Sequence, residues 1–351
     1  MITLTHFKEM VVQKKKKLKL GLALGAGGAK GFIHIGVLKV LHKHNIPISY
    51  LAGTSMGAVI AAAYAAGKTP EEMEDFLKHT DWREIIDFTI PKTGLLKGKR
   101  ISRKLDELVL HKRFKQTVIP LSIIAYDLSD KKKVIFNRGD IAQAVRASVS
   151  IPGIFNPMMI KKKKYVDGAV ADPNPFEDVK EMGADVVLLV DTSNPKSEVL
   201  KTAAPPPARF LPSLKDQFVR EEIAFLGTVL FPEHWPKTIR KTLRWLFKTI
   251  FYPARVLRLL AGKEPYPIVK IMYETFHLLN DNLAREQLIH AQDCLIISPK
   301  IDNLQWSDFD KAEQFIKIGE KATEKIIPEL KKRLAGNNKV YKSIKDSFTK
   351  R

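Results

Sequence analysis

Along the first third of the chain, short apolar runs end in glycine-rich or polar turns and give way to stretches of helical period. Leu18–Leu24 is one such run, suited to a buried strand. After Gly25-Ala26-Gly27-Gly28-Ala29-Lys30-Gly31, the residues Ile33, Gly36/Val37 and Val40/Leu41 recur at helical spacing up to His44. Ile48–Ala52 then reads as a second strand, Gly53-Thr54-Ser55-Met56-Gly57 as a tight turn, and Ala58–Tyr64 as a helix. Beyond these, Leu121–Ala125, Val134–Phe136, Met158–Val166, Val186–Val190 and Leu295–Ile297 read as strands. Helical patterns lie near Glu71–Lys78, Ser102–Leu110, Ile141–Ala147, Pro267–Gln287 and Phe309–Leu334. This alternation predicts a three-layer α/β architecture, and no internal repeat is visible.

Two stretches imitate membrane or targeting segments. His44 to Gly67 contains no charged residue and is long enough to span a bilayer at about 20 residues per helix. Pro47, Gly53 and Gly57 interrupt it, so it reads as buried strand, turn and buried helix. Lys14–Lys19 followed by Leu20–Leu24 resembles the start of a signal peptide, but cleavage after Gly25 to Ala29 would remove the richest motif in the chain.

Charge refines the picture through its location. The 351 residues carry a formal net charge of +21, and most of it lies in residues 1–20, 201–265 and 331–351. The remaining, globular part is close to neutral. The single cysteine, Cys294, permits no intrachain disulfide and offers no thiolate cluster for zinc or iron–sulfur, which points to a reducing compartment, the cytoplasm. No metal-ligand spacing appears, and no cofactor is expected.

The glycine-rich turn presents successive backbone N–H groups at a positive helix end, a setting for an anion. A dinucleotide pyrophosphate would want G-x-G-x-x-G, which fits in no register, and an acid about 20 residues on. There is no Asp or Glu between Glu9 and Glu71. A Walker loop fails because Lys30 is followed by Gly31. What remains is a transient anion, the oxyanion of a tetrahedral intermediate.

Gly53-Thr54-Ser55-Met56-Gly57 supplies the nucleophile such a hole requires, a G-x-S-x-G turn between strand and helix that projects the Ser55 hydroxyl. A serine needs a base. A Ser–acid–His order would draw on His234, His277 or His290, none of which has a turn-like setting. Asp167 does: Tyr165-Val166-Asp167-Gly168-Ala169 ends a strand-like run and enters Ala171-Asp172-Pro173-Asn174-Pro175. Read alone, an Asp-Gly pair is more often a hairpin turn.

Taken in order, the glycine-rich loop, G-x-S-x-G and Asp-Gly-Ala resemble the patatin-like phospholipase family, whose members use a Ser–Asp dyad without a catalytic histidine. Gly31–Leu38 and Ala147–Pro157 are similar to the family's helix after the oxyanion loop and its block before the catalytic aspartate. The likeness runs from about Leu20 to Val190. It implies an α/β/α fold on a mostly parallel sheet, Ser55 as nucleophile and Asp167 as base. It also implies an oxyanion hole from the N–H groups of Gly27, Gly28 and Ala29, flanked by the elbow residues Gly53, Thr54, Met56 and Gly57 and by Gly168 and Ala169. Ala26 stands where the family's glycine run usually begins, which is tolerable if its φ is negative.

The expected organisation is a basic N-terminal segment (1–19), a catalytic domain (20–194), a basic proline-rich insert (195–266), C-terminal helices and a strand completing the fold (267–335) and a basic tail (336–351). In the insert, Ile239, Leu243, Leu246, Phe247 and Ile250 recur at helical spacing. Opposite them stand Lys237, Arg240, Lys241, Arg244 and Lys248, with Trp245 suited to a headgroup zone. That pattern describes an interfacial helix or a lid with a solvated basic face. The function expected is hydrolysis of carboxylic esters in phospholipids or related acyl lipids, peripheral to the inner face of the membrane and docked on its anionic surface. An acyltransferase or thioesterase would use the same dyad. A nucleic-acid-binding protein, suggested by the positive charge, lacks a recognition motif and is not expected.

Overall fold

The computed structural model describes residues 18–80, 87, 93–193, 267–301 and 304–336. Lys237, Arg240, Lys241, Arg244, Trp245, Lys248 and His234, with the rest of the basic insert and the basic tail, lie outside the described residues.

The central sheet runs in the order β10 (Leu295–Ile297), β9 (Val186–Val190), β1 (Leu20–Leu24), β2 (Tyr50–Thr54), β4 (Leu121–Asp127), β8 (Lys163–Asp167) and β7 (Met158–Ile160), with β5 (Lys132–Phe136) also on β4. The five strands from β10 to β4 are mutually parallel. β5, β8 and β7 join antiparallel. A second pair, β3 (Gly94–Leu96) with β6 (Gly153–Phe155), was not anticipated by the sequence pattern.

Alternation puts the two faces of each central strand into separate packing layers. Leu20, Leu22, Leu24, Leu188 and Val190 point into the larger core. There they meet α1 (Ile33–Lys43), α2 (Met56–Ala65) and α8 (Ala312–Leu334). Ala23, Val187 and Leu189 point the other way, against Phe176 and Val179 of α6 (Phe176–Glu181) and Ala291 beyond α7 (Pro267–His290). α3 (Pro70–His79), α4 (Lys99–Leu108) and α5 (Ile141–Ser148) complete the helices among the described residues. The result is a mixed α/β fold with a central, mostly parallel sheet. Capping fixes α3 sharply, because Thr69 Oγ1 accepts the Glu72 N–H while the Glu72 carboxylate accepts the Thr69 N–H.

One expected strand is two. Met158–Val166 is broken by a turn at Lys161 and Lys162, which pairs Ile160 with Lys163 and folds the segment into the β7–β8 hairpin. Four consecutive lysines after an apolar run hide that turn from a hydropathy pattern.

Candidate active site

β4 is the template on which the site is assembled. Along one of its edges β2 pairs with Leu121 to Ile124, and the same edge is then taken over by β8, which pairs with Ala125 to Asp127. β2 runs up this edge and β8 runs down it, so their C-terminal ends meet. Thr54 lies opposite Ile124 and Asp167 opposite the next residue, Ala125. Ser55, one residue past β2, therefore arrives beside Asp167 although 112 positions separate them in sequence.

The turn at Ser55 is a strained elbow. Its φ of 55° is left-handed for a side chain that bears a Cβ, at a cost of order 1–3 kcal/mol. The surroundings fix it. Ser55 N–H donates to the buried Ser148 Oγ at 2.9 Å, and Thr54 Oγ1 donates to the Asp172 carbonyl at 2.8 Å. Only glycine fits at position 57, where a Cβ would run into the Leu24 carbonyl of β1.

Ser55 Oγ donates to Asp167 Oδ2 at 2.7 Å, and Asp167 Oδ1 accepts the Ala169 N–H at 2.9 Å. Asp167 N–H in turn donates to the Ser150 carbonyl at 3.0 Å. The carboxyl is fully buried, and burial pushes its pKa up to about 7, with the Ala169 N–H and the Ser55 hydroxyl pulling the other way. Among the described residues no cation pairs with it. A pKa in this range is the one a general base at neutral pH requires.

The glycine-rich loop lies against the start of α2, since a Cβ at Gly31 would press into Met56. Most of its N–H groups are committed: Gly25 to the Val190 carbonyl, Ala26 to the Pro173 carbonyl and Lys30 to the Gly27 carbonyl. The Ala29 N–H, expected as a third oxyanion donor, donates instead to the Trp306 carbonyl at 2.7 Å and is unavailable. The N–H groups of Gly27 and Gly28, which precede the first turn's own hydrogen bonds, find no protein acceptor among the described residues. Gly28 has φ 56°, and a Cβ there would stand 2.8 Å from the Trp306 carbonyl. Ala26 is not among the left-handed residues, so its methyl is accommodated.

The histidines stand elsewhere. His34 is fully buried beneath the loop, with Nε2 2.8 Å from the Gly25 carbonyl, and burial depresses its pKa to about 4, so the ring is neutral. His277 stacks on Trp306 with ring centroids 5.4 Å apart, and His290 lies 3.7 Å from Glu286 on α7. Three contributors went unassigned in the sequence: Ser148 and Ser150, which hold the backbones of Ser55 and Asp167, and Trp306, whose carbonyl fixes the loop. Ser148 and Ser150 fall in the Ala147–Pro157 block whose family likeness was legible. Trp306 carried no signal, because a backbone carbonyl is independent of residue type.

A glycine-lined loop, a serine elbow and a buried aspartate that accepts the serine hydroxyl thus come together at one place, with no histidine hydrogen-bonded to either side chain among the described residues. Comparison with known proteins finds similar sequences over this part of the chain. Residues 22–180 match the Patatin family model, described as patatin-like phospholipase. An uncharacterized NTE family protein of Mycobacterium tuberculosis is 33% identical over 190 residues, covering 53% of this chain and 52% of that protein. Human patatin-like phospholipase domain-containing protein 6 is 28% identical over 191 residues, covering 52% of this chain and 14% of its own length. The lysophospholipase nte1 of Aspergillus fumigatus is 28% identical over 181 residues, 50% of this chain and 12% of that one. The chain thus spans about half the length of the mycobacterial relative and far less of the other two. Among solved structures, VipD from Legionella pneumophila aligns with a TM-score of 0.49 at 14% identity, covering 89% of this chain and 67% of that one.

Proposed function

We propose that this protein is a lipid acyl hydrolase that cleaves carboxylic ester bonds of phospholipids or related acyl lipids through an acyl-Ser55 intermediate. The observation that carries the reading is the 2.7 Å hydrogen bond from Ser55 Oγ to a fully buried Asp167. As Ser55 Oγ attacks the ester carbonyl, Asp167 takes its proton, and the N–H groups of Gly27 and Gly28 hold the developing oxyanion. Collapse breaks the bond to the alcohol, which leaves with the proton from Asp167. Water then attacks the acyl-serine, giving its proton to Asp167, and the fatty acid departs as Ser55 recovers its hydrogen. The match of residues 22–180 to the patatin-like phospholipase model and the relatives' printed names favour a lipid ester as substrate. Such a substrate places the working enzyme at a membrane surface, although among the described residues no helix is long and apolar enough to cross one.

The test is incubation with defined phospholipids, lysophospholipids and glycerides in water enriched in oxygen-18, with mass analysis of the products. Free fatty acid carrying the label, absent with Ser55→Ala, is the expected result. Acyl transfer to an added lysolipid in place of labelled acid would assign transferase chemistry to the same dyad. Release of fatty acid that survives Ser55→Ala would overturn the reading.

A further inference from the structure

Because β8 runs antiparallel to β4, the β7–β8 and β4–β5 hairpins both project past the dyad at the C-terminal edge of the parallel strands. Lys163 is four residues beyond Asp167 along β8, about 13 Å at about 3.3 Å per residue. The segments Leu128–Lys132 and Met159–Lys164 hold six lysines against one acid, Asp130. Asp130 is already engaged, by Lys163 at 2.5 Å and Lys132 at 3.4 Å. Lys131, Lys161, Lys162 and Lys164 are exposed and have no ion-pair partner among the described residues. Two apolar side chains stand out among them, Leu128 at 42% and Met159 at 53% exposure.

The backbone of these tips is a second, independent observation. Lys161 and Lys162 have φ of 49° and 66°, the two left-handed positions of a two-residue hairpin turn, and Lys131 has φ 53° in the other tip. Asn and Gly adopt such positions at lower cost, and the pair Asn-Gly is what this turn favours. Three lysines are therefore held where the fold itself would prefer other residues. Protection of the exposed edge of β7 does not account for them, since Lys161 and Lys162 lie in the turn, outside the ladder.

We propose that the β4–β5 and β7–β8 tips form a docking surface for an anionic lipid bilayer, with Lys131, Lys161, Lys162 and Lys164 at the headgroups and Leu128 and Met159 inserted between them. The choice of a lipid partner rests on the function proposed above, and the apolar tips favour it independently, because a nucleic-acid backbone offers them nothing to bury against. Docking at these tips holds the C-terminal end of β2, where Ser55 and Asp167 meet, close to the surface that holds the substrate.

The experiment uses the full chain in a Ser55→Ala background, so that binding is read without turnover and a failure of the hydrolase reading leaves this result intact. Lys131→Gly, Lys161→Asn and Lys162→Gly are combined, which removes three cations and gives both turns residues they favour. Each cation at an anionic surface contributes roughly a factor of five, so the triple variant should bind mixed phosphatidylglycerol–phosphatidylcholine vesicles about a hundredfold more weakly at low salt. Its thermal midpoint should stay level or rise. Leu128→Ser with Met159→Ser should leave binding that disappears at lower salt than the parent's, since the remaining attraction is screened. Triple-variant binding equal to the parent's would overturn the proposal. So would equal parental binding to pure phosphatidylcholine, or loss of duplex DNA binding in the triple variant with vesicle binding unchanged.

Discussion

Two buried carboxylate sites lie a few residues apart in this molecule, and they resemble each other until their partners are compared. Asp167 is fully buried at the end of β8, and Asp178 is 2% exposed in α6. Burial raises the pKa of both, and for Asp178 the neighbouring Asp172 raises it further. The difference lies in what answers the charge. Asp178 and Asp172 share Lys133, at 3.1 Å and 2.9 Å, and Asp172 Oδ1 also accepts Gln287 Nε2 at 2.6 Å. Burial alone would depress the Lys133 ammonium, yet the two carboxylates together raise it. Asp167 faces a hydroxyl and one N–H, with no cation among the described residues. A carboxylate neutralised by lysine is suited to a strut, whereas one that accepts a serine proton without a cation beside it suits the base of the proposed mechanism. A raised pKa therefore marks burial, and the partner decides the role.

The largest expected effect separates the two sites by chemistry. Ser55→Ala and Asp167→Asn should each lower turnover of a soluble short-chain ester by roughly three decades or more, and the double variant should be no worse than either single, because the pair acts as a unit. Asp178→Asn should leave turnover within about tenfold of wild type, since it touches nothing in the dyad. Steady-state rates on folded protein, with circular dichroism as the check, decide it. Additive losses at Ser55 and Asp167 would break the comparison.

A smaller effect follows from the proton on Asp167. As a base it works only when ionised, so kcat/KM should fall below an acid limb near pH 7, about tenfold for each further unit. The same shift has a stability consequence of fixed sign. The unfolded chain loses this proton near pH 4 and the folded chain near 7, so the group's contribution is fully present below 4 and is lost as pH rises through 7. Asp167→Asn should flatten that part of the stability profile, as measured by denaturant unfolding across the range. A limb near pH 4 would mean that Asp167 is ionised more readily than its burial implies.

Ser55 and Asp167, which the structure brings together, were legible as candidates because they sit in motifs whose shape is local. Gly53 to Gly57 encodes its own elbow, and Asp167-Gly168-Ala169 its own turn. The parallel core was equally legible, since β1 and β9 are short apolar runs and α1 has a clean helical period. What escaped depends on contacts distant in sequence. The loss of Ala29 as a donor follows from a carbonyl 277 positions away at Trp306, and no local pattern carries that pairing. The β3–β6 pair is too short, at three residues a strand, to show alternation. The turn at Lys161 and Lys162 uses residues that usually argue against it.

The smallest effect probes the strut. Replacing Lys133 by Met keeps the aliphatic stem and removes the ammonium, leaving Asp172 and Asp178 side by side without their cation. Breaking a fully buried pair costs about 3–5 kcal/mol, but Lys133 is about one-third exposed, so water screens part of the loss and about 1–3 kcal/mol is expected. The cost should be larger at pH 8 than at pH 5. At the lower pH Asp178, with its raised pKa, takes up a proton and the repulsion falls away. Turnover should drop less than tenfold, because the cluster reaches the site through backbone groups of Asp172, whose carbonyl accepts Thr54 Oγ1 and whose N–H donates to the Gly168 carbonyl. Denaturant unfolding at the two pH values, alongside ester turnover, reads both quantities. A stability loss that is the same at both pH values would assign Lys133 a packing role, and the two buried carboxylate sites would then differ by less than their geometry implies.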